Sequence, residues 1–138
     1  MKVLVSACLL GRNCKYNGGN NYDPKVMEFL EGKEIVEYCP ECVAGFGIPR
    51  TPMEIVDGVL TNRDGKVLDD AMRRTVRQAV EEFRTMGIGC AVLKSRSPTC
   101  GVKEIYDGSF SGKLIPGQGI FAKALQDAGI RIIDSEDI

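Results

Sequence analysis

A chain of 138 residues with 43% hydrophobic content is the size of one globular domain, large enough to bury its own core. Eighteen basic against nineteen acidic residues give a formal charge of -1, which excludes a broad basic field that grips nucleic acid by its phosphates and favours a small polar or neutral partner. Histidine is absent, so Cys/His zinc patterns, a Cys-His nucleophile pair and the 2-His-1-carboxylate iron site are all excluded.

The N-terminal "KVLVSA" (2–7) reads as a β-branched apolar strand that ends at Cys8. It is too short for the apolar region of a signal peptide, and no run approaches the ~20 apolar residues of a membrane span, so the chain reads as cytoplasmic. "DPKVMEFLEG" (23–32) has an Asp cap, Pro at the first helical position and a terminal Gly, which predict a short helix. "EIVEYC" (34–39) is a second strand, stopped by Pro40. Residues 49–68, with Asp57-Gly58 and Asp64-Gly65 between apolar pieces, read as a hairpin-like excursion.

Residues 69–87 carry Met72, Val76, Ala79, Val80 and Phe83 on one stripe, with acids first and Gly87 last, and predict a long amphipathic helix. "IGCAVLK" (88–94) is a buried strand, "EIYDGSFSGK" (104–113) a turn-rich loop, "GQGIFAKALQDAG" (117–129) a helix and "IRIID" (130–134) a last strand. Strands alternating with helices predict a single-domain three-layer α/β fold over 1–138, with a mainly parallel sheet and helices on both faces.

Six cysteines in a reducing compartment point to metal or catalysis more than to disulfides. Cys8 and Cys39 close two strands, and Cys100 lies in the loop leaving a third. Ligands of open α/β sheets bind beyond the carboxyl ends of the strands, so these three thiols are expected to meet there. A three-thiolate zinc with water, an Fe–S cluster and simple burial all remain open on spacing alone. Cys90, mid-strand among Ile88, Ala91 and Val92, reads as a small core hydrophobe. Cys14 would support the site or be incidental. Cys39 and Cys42 form a C-x-x-C without the second pair of a zinc ribbon, which leaves a dithiol pair or a zinc-stabilised binding module as rival readings.

The segments "SACLLGRNCKYNGG" (6–19), "CPE" (39–41), "GIPRTPMEI" (47–55), "LKSRSPTCG" (93–101), "IYDGSFSGKLIPGQGIFAKAL" (105–125) and the closing "SE" (135–136) run nearly end to end. On them the chain resembles the TudS-like thiouracil desulfidase family. The resemblance implies a [4Fe-4S] cluster on Cys8, Cys39 and Cys100, with the fourth iron free to take the sulfur of a thiolated uracil. It further implies non-redox replacement of sulfur by water, giving uracil and hydrosulfide. Glu41 is then the expected proton-transfer residue. Ser97, with Ser95 as second choice, would hold the water or a ring oxygen, and Lys94 would stabilise developing negative charge. Tyr16 and Tyr106 would stack on the pyrimidine. Gly101 would let the backbone bend close to the cluster, and "PGQG" (116–119) offers an anion site at a helix N-terminus. A small thiolated pyrimidine is the expected partner, the protein acting as a monomer or homodimer. The middle helix and Cys42 depart from the family pattern.

Overall fold

The computed structural model describes residues 1–138. In chain order the elements are β1 (Lys2–Ser6), α1 (Pro24–Phe29), β2 (Glu34–Tyr38), α2 (Pro40–Val43), β3 (Met53–Val56), β4 (Val59–Asn62), α3 (Asp69–Arg84), β5 (Ile88–Leu93), β6 (Glu104–Tyr106), β7 (Leu114–Pro116), α4 (Ile120–Asp127) and β8 (Ile132–Asp134). Single 3-10 turns at Ala7–Leu10 and Ser135–Asp137 follow β1 and β8.

Strands β2, β1, β5 and β8 lie in that order in one sheet, and every pairing is parallel. Side chains alternate across it. Val3, Val5, Cys90 and Val92 face Val26 and Leu30 beside α1, whereas Leu4, Ala91 and Leu93 face the stripe of α3 and the inner face of α4. Each large apolar side chain buried here contributes about 1.5–3 kcal/mol. The expected three layers follow, with Cys90 in the core at 4% exposure.

The local causes are legible. Asp23 accepts from the N–H groups of Lys25 and Val26 at 3.0 and 3.3 Å, capping α1, and Pro24 supplies its first residue. In α3 the buried residues are Met72, Val76, Ala79 and Phe83, and the chain leaves the helix through Gly87 in the left-handed region. β3 and β4 pair antiparallel through Asp57-Gly58, both at positive φ, as a tight hairpin turn requires.

One expectation is corrected in part. Residues 107–113 form the expected turn-rich loop, but 104–106 are strand β6, which pairs antiparallel with β7, Tyr106 opposite Leu114. Two three-residue strands are too short to show an alternating pattern in sequence, and the turn residues between them dominate the reading. The outer helices and the last strand are also shorter than their sequence spans.

Candidate metal centre

Parallel strands send all their carboxyl ends to one edge of the sheet, and a cavity of about 510 Å³ opens there. Cys8 reaches it from the 3-10 turn after β1, Cys39 from the residue that caps α2, and Cys100 from the loop after β5. Glu41, Lys94, Ser95, Ser97, Tyr16 and Tyr106 line the same cavity, whereas Cys42, Cys90, Gly101 and the turn at 116–119 do not.

The loop that presents Cys100 is built by backbone contacts. Ser97 Oγ accepts from the N–H groups of Thr99 and Cys100 at 3.1 and 3.0 Å. The first N–H groups of α4 do not await an anion, contrary to the reading of "PGQG". Ile120 donates to the Pro98 carbonyl at 3.1 Å, and Phe121 and Ala122 donate to the Thr99 carbonyl at 2.8 and 3.2 Å. These donors, orphaned at any helix start, are spent on holding the cysteine loop. Gly119 permits the approach, since a Cβ there would lie 2.4 Å from the Thr99 carbonyl. Gly101 is likewise required by backbone: its Cβ would meet the Ser97 and Glu104 carbonyl oxygens at 2.7 and 2.9 Å.

Burial pushes the Cys8, Cys14, Cys39 and Cys100 thiols up, Cys100 far above the usual thiol range. Opposing contacts are polar. The Asn21 side chain bonds Cys8, and Lys94 favours its anion. Ser6, whose Oγ accepts from the Lys94 N–H at 3.0 Å, acts against the rise that burial imposes on the Cys100 thiol. Negative charge on Cys8, Glu41 or Cys39 would push the Cys100 thiol up further. No three thiols or carboxylates gather on a single ion-sized point. The donor set is soft, wide and open toward the cavity, which fits a cluster better than one zinc ion. Cys14, itself buried, adds a fourth thiol to the wall, and Cys42 lies in the helix that Cys39 caps.

Glu41 is fixed at both oxygens. Arg50 Nε donates to Oε1 at 2.9 Å, the two side chains being 7% and 16% exposed, and Thr99 Oγ1 donates to Oε2 at 2.9 Å. The same guanidinium donates to the carbonyls of Gly47 and Cys14 at 3.0 and 2.8 Å. Lys94 Nζ turns to the carbonyl and hydroxyl of buried Ser95 at 3.1 and 2.9 Å, and the Ser95 N–H donates to Ser135 Oγ at 3.1 Å. Ser97 has both acceptor directions occupied by the turn, so only its O–H remains for a ligand. Tyr16 stands at the mouth, 43% exposed. Sequence reading missed Ser6, Asn21, Arg50 and Thr99. Arg50 and Thr99 lie inside quoted motifs, whereas the turn holding Asn21 carries no signal.

An all-thiol site with one open side, at the strand ends of a parallel α/β sheet, defines the class as a metal-group protein with a small-molecule pocket. The sequence model of the 2-thiouracil desulfurase family matches residues 3–137, and the chain belongs to that family. It is 32% identical over 146 residues to the uncharacterized protein YbbK of Bacillus subtilis (strain 168), covering 99% of this chain and 97% of YbbK. The solved structure of the [4Fe-4S]-dependent thiouracil desulfidase TudS matches with a TM-score of 0.91 at 31% identity, covering 99% of this chain and 92% of that one.

Proposed function

We propose that this chain hydrolyses the C=S bond of a thiolated uracil, 2- or 4-thiouracil, with a [4Fe-4S] cluster held by Cys8, Cys39 and Cys100. The observation that carries the reading is the meeting of these three thiols, from three distant stretches of chain, at one cavity. Cys8, Cys39 and Cys100 would hold the cluster, which would supply Lewis acidity to polarise the thiocarbonyl.

The protein supplies the rest. Tyr16 and Tyr106, both lining the cavity, offer their rings to the pyrimidine. The Ser97 O–H donates to a ring oxygen, and Lys94 offsets negative charge near Cys8. Glu41, held by Arg50 and Thr99, takes a proton from the water that attacks the ring carbon. A C–O bond forms, the C–S bond breaks, hydrosulfide and one proton leave, and no electron is exchanged with solution.

The test is anaerobic incubation of the reconstituted protein with 2- and 4-thiouracil, their nucleosides and their nucleotides, following thiocarbonyl absorbance and sulfide release. The expected protein is brown, with about four irons per chain. Glu41→Gln keeps the iron and loses turnover by roughly a hundredfold or more. A colourless protein holding one zinc and releasing no sulfide overturns the reading in favour of a zinc-stabilised binding module.

A further inference from the structure

The cluster reading leaves one half of the C-x-x-C without a task. Cys39 caps the start of α2 and Cys42 lies one turn along it, the Val43 N–H donating to the Cys39 carbonyl at 3.0 Å. Residues at this spacing share a helix face, which sets the two thiol-bearing side chains beside each other. Cys39 faces the cavity and Cys42 is half-buried, so a small oxidant reaches the pair. Cys42 Sγ is held in place, 3.9 Å from both Arg50 Nη1 and the Cys14 carbonyl. Cys14 lines the same cavity as Cys39, but its loop is pinned by Arg50 on its carbonyl at 2.8 Å and by its own N–H on the Arg12 carbonyl at 2.8 Å.

We propose that Cys39 and Cys42 are a peroxide-modified site: in the iron-free protein they close to a disulfide that keeps Cys39 recoverable until the cluster is rebuilt. The sulfur of Cys39 attacks the peroxide O–O bond, giving a sulfenic acid and releasing water. Cys42 then attacks that sulfur, the S–S bond forms, and a second water leaves. Two thiols are oxidised by two electrons and one peroxide is reduced. A dithiol reductant reverses the bond by exchange. Iron on Cys39 withholds its sulfur, so the pair responds only when the site lacks iron. The guarding role rests on the cluster reading, whereas the bond itself does not.

The experiment treats full-length, reduced, iron-free protein with hydrogen peroxide, counts free thiols, maps the linkage by mass spectrometry and then offers ferrous iron and sulfide anaerobically. Two thiols disappear, the link joins Cys39 to Cys42, iron uptake falls roughly tenfold, and dithiothreitol restores it. Cys42→Ser loads iron like the parent when untreated, but after peroxide dithiothreitol no longer restores uptake, because Cys39 has passed to sulfinic acid. A link from Cys39 to Cys14, no link at all, or undiminished uptake with the link intact overturns the proposal. Reduced parent protein that takes up no iron overturns the cluster reading and with it the guarding role, whatever the linkage map shows.

Discussion

Cys90 and Cys100 are almost equally buried, at 4% and 6% exposure, so burial alone does not tell a structural thiol from a functional one. Their neighbours do. Cys90 packs with Val3, Val5, Val26 and Leu30, where sulfur acts as a hydrophobe. Cys100 lines the strand-end cavity together with Ser6, Cys8, Cys39 and Glu41. Cys90→Ala is therefore expected to cost about 1 kcal/mol in denaturant unfolding and leave iron content unchanged, whereas Cys100→Ala loses the iron. Iron-to-protein ratios beside unfolding midpoints check both halves. This contrast was legible in sequence, since one cysteine interrupts an apolar run and the other follows it. The setting of Glu41 was not. Its partner Thr99 is 58 residues away, and no periodicity or turn chemistry relates positions that meet only when two strand ends converge.

Element α4 does more than cover the sheet. Its first turn closes on residues 98–100, so the helix start and the cysteine loop are one mechanical unit. Gly119→Ala places a methyl against the Thr99 carbonyl, and overpacking of this kind costs about 2 kcal/mol. The expected signature is joint loss of stability and iron uptake, where a damaged helix elsewhere would lower stability alone. Asp69 joins α3 to β4 by accepting from the Leu60 N–H at 2.9 Å and from Arg73 Nε at 2.7 Å. Burial acts to raise its pKa, but these two donors outweigh it and hold the carboxyl below its usual range. Such a group stabilises above its unfolded pKa and loses that contribution as pH falls through the folded value. Asp69→Asn is thus expected to cost about 1 kcal/mol at neutral pH, with the difference from the parent shrinking below about pH 4. Urea titrations at both pH values measure it. The long helix and β3–β4 hairpin were readable because caps, stripe and turn residues agree on each. The β6–β7 pair was not, because its strands are shorter than the period that would reveal them.

At the scale of the whole molecule, the two hydrophobic clusters lie on opposite faces of the sheet, and the thiols lie at its edge. Of the three proposed ligands Cys100 belongs to the 15-residue core cluster that also holds Phe121 and Leu93, Cys8 packs against the edge of the other, and Cys39 joins neither. Folding therefore draws its apolar burial from α1, α3 and α4 against the strands, not from a metal. The site, in contrast, ties together three separated stretches of chain, so occupying it stabilises the folded state without being required for it. That division gives opposite forecasts for chelation. A zinc-dependent module unfolds when its metal is withdrawn, because metal binding is its folding free energy. Here, anaerobic chelation of the loaded protein should bleach it, lower the thermal midpoint by roughly 10 °C and leave far-ultraviolet circular dichroism nearly unchanged. Collapse of the dichroism along with the colour would mean that the thiol set, not the two faces of the sheet, holds the chain together.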